Sequence, residues 1–382
     1  MSAAAPWAVY VHVPFCGRRC GYCDFATEAL PPHAAERADR LARYVDSLLA
    51  EIDSAEARPA DTVFFGGGTP TQLSARQLLA ILDRLRARGG ILPAAEITIE
   101  ANPTTAEAAK FAALRAGGVN RLSLGVQSLH DDLLAGLGRS HSAAEAVAAY
   151  RLARSVGFAN VSLDLMFNLP GQSLADWRED LRRVAELGPE HLSLYSLTVE
   201  DGTPLARQVA EGRVTLPNEE TDAAMFEAAI DDLASLGYEH YEISNFARPG
   251  CRCVHNQVYW RNEEYRGFGP GAASYVGRRR WLNQARPERW GEALEAGVEP
   301  VAESEVRDED GERRETMFLG LRLRDGVEAE AYRRRYGAPP EEFFGPELAK
   351  LAAEGLVELW HGCWRLTRRG VMLANRVFVE FV

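Results

Sequence analysis

Along the first two-thirds of the chain, short apolar or alternating runs recur at intervals that fit one strand each. They are WAVYVHV (7–13), DTVFFGG (61–67), EITIEAN (96–102), RLSLGVQ (121–127), NVSLDLMF (160–167) and HLSLYSL (191–197). β-Branched and aromatic residues crowd them, as a pleated surface favours. Between them lie charged, Ala- and Leu-rich stretches with helical apolar spacing, over 34–57, 74–88, 142–156 and 174–187. Strand then helix, six times over, predicts parallel strands joined by helical crossovers, an α/β fold. Six units make an incomplete, splayed relative of the eight-unit barrel. In such folds the chemistry gathers at the C-terminal ends of the strands.

After about residue 245 the texture changes. Residues 246–300 are rich in Gly, Arg, Trp and Tyr and carry little periodicity. Beyond 305 come helical patterns, then a helix at 346–354, a strand at 356–360, a turn at Gly362, a strand at 363–367 and a helix at 368–376. That order resembles a small winged-helix α+β unit. The expected division is a core over 1–240, a connecting region over 241–304 and a C-terminal domain over 305–382.

A formal charge of −12 speaks against nucleic-acid binding, which normally leaves a basic footprint. The winged-helix-like tail therefore reads as a docking module. No apolar run approaches the roughly 20 residues that span a bilayer, which leaves only a peripheral membrane contact. MSAAAPWAV has no basic stretch followed by an apolar one, so no signal peptide is expected. Six cysteines without such a signal point to a reducing cytoplasmic setting, where clustered thiols more often bind metal than pair.

Three of those thiols, Cys16, Cys20 and Cys23, fall in VPFCGRRCGYCDF. Four thiolates would close a zinc site, and two would suggest a redox dithiol. Three leave one iron of a 4Fe–4S cubane open to a small molecule. The competing readings are zinc, completed by His12 or Asp24, and three unrelated thiols. One strand later, FFGGGTPTQ strips the β-carbons from residues 66–68, so that backbone can approach a ligand. No Gly-Lys-Ser/Thr follows, which excludes a nucleotide P-loop. Polar residues also interrupt later strand ends: Glu100, Gln127, Arg139 and Asp164. Carboxylates there suit ribose hydroxyls or an ammonium, and an arginine suits a carboxylate.

The Cys-x3-Cys-x2-Cys spacing with Tyr22 before the last cysteine resembles the radical S-adenosylmethionine (SAM) proteins. VYVHVPFC, FGGGTPT, GVNRLSLGVQS, DLMFNLPGQ, HLSLYSLTVEDGTP and YEISNFARPG are similar to the anaerobic coproporphyrinogen III dehydrogenase family over nearly the whole chain. The resemblance implies an incomplete (β/α) radical SAM barrel with a 4Fe–4S cluster on Cys16, Cys20 and Cys23. It also implies SAM contacts at Tyr10, Tyr22, Gly67, Gly68, Thr69, Glu100, Gln127, Arg139 and Asp164.

Two features separate the branches of that family. Phe25 stands where the dehydrogenases have a fourth cysteine, and the chain begins only nine residues before Tyr10. HNQVYW, His255 to Trp260, matches the heme-binding His-Asn-x-x-Tyr-Trp motif of the heme chaperone branch, the HemW-type proteins. Imidazole suits heme iron, and Tyr259 and Trp260 offer flat apolar surface. An ordinary histidine would lose iron as pH falls through its titration range. Cys251 and Cys253 are an alternative ligand pair, or incidental thiols. The resemblance implies a heme chaperone with an acceptor protein, a flavodoxin- or ferredoxin-like electron donor and dimers favoured by the cluster. The alternative is oxygen-independent oxidative decarboxylation of coproporphyrinogen III.

Overall fold

A computed structural model describes residues 6–382. Residues 1–5, where the segment read above for a signal peptide begins, lie outside the described residues. Six strand–helix units follow one another: β1 (Ala8–Val13) and α1 (Ala34–Ser54), β2 (Ala60–Gly67) and α2 (Ala75–Arg88), β3 (Ile91–Ala101) and α3 (Ala108–Ala116). Then come β4 (Arg121–Gln127) and α4 (Ala143–Ser155), β5 (Asn160–Phe167) and α5 (Leu174–Leu187), β6 (His191–Ser196) and α6 (Glu219–Ser235). Neighbouring strands from β1 to β6 pair in parallel, in chain order. Three crossover helices start on a serine that closes a capping box, Ser74 with Gln77, Ser142 with Glu145 and Ser173 with Asp176.

Alternation along these strands sorts their side chains. Val9, Val11, Val63, Phe65, Ile97, Ile99, Leu122, Leu124, Leu163, Leu165, Leu192 and Leu194 belong to the main core, which the crossover helices complete. On α1, Leu41, Tyr44, Val45, Leu48 and Ile52 supply the matching helical stripe. The residues between those apolar positions face the barrel interior, and most are polar.

Weak periodicity over 246–300 hides three short strands, and a fourth follows directly. Tyr265–Phe268 (β9) pairs in parallel with β1, and Ala273–Val276 (β10), Arg279–Asn283 (β11) and Val301–Val306 (β12) follow antiparallel. On the far side, Glu239–Glu242 (β7) and Asn245–Ala247 (β8) add antiparallel pairs beside β6. The result is one twelve-stranded sheet, in the order β12-β11-β10-β9-β1-β2-β3-β4-β5-β6-β8-β7. These additions are three to six residues long, too short for a pattern of period two to stand out.

The C-terminal part has its own core and a three-stranded antiparallel sheet. Val357–Trp360 and Cys363–Leu366 form the hairpin, with Val327–Glu328 on its open side. The helix expected over 368–376 is broken in two at Leu373, whose φ and ψ are −119° and 30°. Phe226 and Ile230 of α6 pack against both cores. Among the described residues no helix is long and apolar enough to cross a membrane.

One buried carboxylate fastens the added strands to the barrel. Glu51 of α1 accepts from the Gly269 amide (2.7 Å), Asn283 Nδ2 (2.7 Å) and Trp290 Nε1 (3.2 Å). Burial pushes its carboxyl up to about 7, with those donors pulling the other way. Glu51→Ala strands three buried donors and should lower unfolding free energy by about 3–5 kcal/mol. Denaturant melts checked against an exposed Glu→Ala control measure it; a change below ~1 kcal/mol would refute the fastening role.

Candidate functional site

The cysteine loop leaves β1 through a two-residue strand, Phe15–Cys16, which pairs with Glu28–Ala29. All three thiols are half-buried. The Cys23 amide donates to the Cys20 carbonyl (3.4 Å) and Arg19 Nη2 to the Cys23 carbonyl (3.1 Å). Two donors point at sulfur: Thr69 Oγ1 lies 3.9 Å from Cys16 Sγ, and Arg139 Nη1 lies 3.5 Å from Cys20 Sγ. Burial raises the Cys16 thiol pKa, the Thr69 bond opposes that, and the nearby Cys23 and Cys20 raise it further. The three thiols thus share one cradle. Yet among the described residues no three His, Cys, Asp or Glu side chains gather tightly enough for a single metal ion. His12, the candidate fourth zinc ligand, is buried with its ring nitrogens on Tyr10 OH (3.0 Å) and the Ala26 carbonyl (3.0 Å). Donors aimed at sulfur fit an anionic cluster held by the three thiols.

The glycine loop serves this cradle in a way that spacing alone did not reveal. Gly67 has φ of +108°, and its amide donates to Glu100 Oε2 (3.2 Å). Gly68 and Thr69 donate to the carbonyls of Val13 and Phe15, both at 2.8 Å. A β-carbon on Gly68 would lie 2.8 Å from the Phe15 carbonyl oxygen. The close approach that glycine permits here is first to the backbone leading into Cys16.

Further strand ends converge on the same rim. Gln127 takes φ of 68°, at an irregularity in the β4–β5 pairing. A β-carbon on Gly125 would meet Gln127 Nε2 and Arg139 Nη2, each at 3.1 Å, so those two side chains meet there. Tyr22 packs on a small cluster of Leu137, Met166, Leu169, Leu197 and Leu205. Asp164 accepts from Ser123 Oγ (3.0 and 3.2 Å) and Ser162 Oγ (3.4 Å). Burial raises the pKa of Asp164, and that of Glu100 to about 8. The negative Asp164 also raises Glu100, whereas the Gly67 amide and Arg121 lower it.

Below the rim lies a cavity of about 180 Å³, lined by Tyr10, Phe64, Glu100, Arg121, Ser123, Asp164, Ser193, Tyr195, His255, Asn256 and Tyr259. Its side wall is the helix α7 (Val254–Trp260), which carries the His-Asn-x-x-Tyr-Trp motif. Glu96 of β3 holds the start of α7, accepting from the Val254 and His255 amides (3.1 Å each) and from Cys253 Sγ (3.4 Å). Cys253 is buried and its thiol pushed up to about 12, chiefly by burial. Protonated and engaged, it is a structural thiol.

His255 is 1% exposed, with Nδ1 2.7 Å from Thr62 Oγ1 and Nε2 2.8 Å from Tyr259 OH. Its ring stacks on Phe64. Burial, then the Arg121 charge, lowers its pKa to about 3, so the titration expected of an ordinary histidine is absent near neutral pH. The motif does not form one face. His255 and Tyr259, one helical turn apart, look into the barrel, whereas the Trp260 ring lies under the Arg322 guanidinium at 4.2 Å.

Arg121, Ser123, Ser193 and Tyr195 were not singled out from sequence, although a signal existed. RLSLGVQ, NVSLDLMF and HLSLYSL alternate polar with apolar residues, and a strand flanked by parallel neighbours is ordinarily apolar on both faces.

Residues 10–184 match the radical SAM superfamily and residues 308–373 the HemN C-terminal domain. The chain is 36% identical over 380 residues to the heme chaperone HemW of Bacillus subtilis, spanning 98% of this chain and 99% of that protein. It is 38% identical over 376 residues to the heme chaperone HemW of Mycobacterium tuberculosis, spanning 97% and 94%. Among solved structures, the coproporphyrinogen III oxidase HemN of Escherichia coli, a radical SAM enzyme, aligns with a TM-score of 0.85 at 25% identity, over 99% of this chain and 90% of that one.

Gly68→Ala should push the Phe15 backbone and displace Cys16, at about 1–3 kcal/mol of stability. Iron and acid-labile sulfide after anaerobic reconstitution should fall with it. Full loading at unchanged stability would mean that the two loops are not in register as described.

Proposed function

The chain belongs to the HemW family of heme chaperones within the radical SAM superfamily, and on that premise we propose that it binds heme and passes it to an acceptor protein. In this reading Cys16, Cys20 and Cys23 hold a 4Fe–4S cluster, and SAM exchanges at the rim. The observation that carries it is the shared wall: the heme motif and the strand-end carboxylates line one cavity below the cysteine cradle.

The cluster, when bound, supplies an open coordination position and one-electron chemistry. The chain's residues supply the rest. Arg139 and Thr69 donate to thiolate sulfur. Thr69, Glu100 and the backbone of Gly67 and Gly68 bind the methionine end and ribose of SAM. Tyr10, Tyr22, Gln127, Arg139 and Asp164 complete its contacts. A flavodoxin- or ferredoxin-like donor, a cytoplasmic setting and dimers responsive to the cluster belong to the same reading.

Iron on His255 must displace one of two existing hydrogen bonds. Nδ1 is turned into the wall on Thr62, so Nε2 is the ligand and Tyr259 OH its competitor. Because Tyr259 OH already occupies Nε2, ligation requires the Tyr259 ring to move aside. Heme titration of the anaerobically reconstituted protein tests the reading. His255→Ala should alter the Soret band and axial-ligand spectrum. Tyr259→Phe should keep that spectrum and speed binding, and ligation should not weaken between pH 8 and 5, because the buried ring titrates near 3. An unchanged spectrum in His255→Ala would move the ligand elsewhere.

SAM affinity should also depend on pH. In the free site Glu100 is mostly protonated at pH 7, because its carboxyl titrates at about 8. An ammonium favours the ionised form, so binding expels the proton and affinity rises with pH toward about 8, where the gain ends because the ligand's own α-ammonium titrates at roughly 8. Glu100→Gln should bind more weakly and lose that slope. A slope kept in the variant would assign it to another group.

The whole-chain match to a coproporphyrinogen III oxidase favours a second reading, oxidative decarboxylation. Phe25, 63% exposed where the dehydrogenases have a cysteine, argues for the carrier. Protoporphyrinogen formation from coproporphyrinogen III would reverse the ranking.

A further inference from the structure

We propose that the barrel cavity is a carboxylate-binding site with Arg121 as its receptor. The inference extends the heme and SAM reading by naming which group of those ligands enters the barrel.

Arg121 is 2% exposed and lines the cavity. Its Nε is buried without a hydrogen-bond partner. Both neighbouring carboxylates are turned to other tasks. Asp164 accepts from Ser123 (3.0 and 3.2 Å) and Ser162 (3.4 Å). Glu96 accepts from the Val254 and His255 amides at the start of α7. Burial disfavours the guanidinium charge and the surrounding Cys253, Glu96, Tyr241 and Asp164 more than offset that, yet among the described residues no acceptor meets Nε, and the planar fork matches a carboxylate with two parallel bonds. Ser193, Tyr195 and Asn256 line the same space and bring further donors. Glu100, mostly protonated in the free site, does not repel an entering propionate. A volume of about 180 Å³ has room for a propionate-sized arm. The group is therefore either a heme propionate or the methionine carboxylate of SAM.

The first experiment uses the full chain without cofactors. Sodium propionate should raise the melting midpoint more than its neutral isostere propionamide at matched ionic strength. Arg121→Gln should abolish that difference, and Arg121→Lys should restore part of it. Two further pairs identify the source. Heme should bind roughly ten- to hundredfold tighter than heme dimethyl ester if a propionate enters, and Arg121→Gln should erase the preference. A preference for SAM over decarboxylated SAM that falls in Arg121→Gln by a similar factor would assign the methionine end. If the variant keeps all three preferences, or the wild type shows none, the proposal is overturned. Should Arg121→Gln fail to fold, Arg121→Lys decides, since it keeps the charge and loses the fork. A wild type that binds no heme at all removes the chaperone reading, while the propionate and SAM pairs still settle Arg121.

Discussion

Six parallel strands that are apolar outside and polar inside create a space where charged side chains are drawn together and partly withdrawn from bulk water. The outer valines, leucines and isoleucines seat the crossover helices. The inner arginine, serines and carboxylates then meet one another in a confined cavity. Burial is the main cause of the raised carboxyls of Glu100 and Asp164 and of the lowered imidazole of His255. One arrangement of side chains thus sets the protonation of the carboxylates and of the imidazole alike. A ligand that brings charge into this space changes those protonation states more than it would at a surface.

The rim depends on backbone as much as on side chains. Gly67 and Gln127 end β2 and β4 and Asn168 follows β5, with φ of 108°, 68° and 61°. Left-handed backbone at a strand end turns the chain sharply and re-aims the next side chain. The glycine loop uses that freedom to hydrogen-bond to Val13 and Phe15, locking the level of the cysteine loop to β2. The cysteine loop and the glycine loop therefore hold one another at a fixed level.

Much of this was legible in the chain. The strand–helix units read from apolar spacing are present within a few residues of their expected ends, because long crossover helices and parallel strands repeat their signal. The cysteine spacing and the His-Asn-x-x-Tyr-Trp motif were visible because ligand chemistry demands particular residue types. What escaped was nonlocal. β9–β12 are too short to show a period, and their place beside β1 depends on contacts such as Glu51 with Gly269 and Asn283, more than 200 positions apart. The partners of His255 come from β2 and from its own helix, so its burial could not be read from its neighbours in sequence. Arg121 was readable in principle, as the first polar residue of an alternating strand.

The spacing of the heme motif makes physical sense once α7 is seen as a wall with two sides. Four residues separate His255 from Tyr259, which puts both on the cavity side and lets the phenol hold Nε2. One residue further, Trp260 points the other way and stacks with Arg322, which itself lies near Phe378 of the C-terminal core. Any displacement of His255 therefore moves a helix that is tied at its start to β3 through Glu96 and at its end to the C-terminal part through the Trp260–Arg322 contact. The barrel cavity and the C-terminal part are thus joined through the seven residues of α7. Because both ends of that helix are held, a shift of the C-terminal part would reach His255 without a contact inside the barrel.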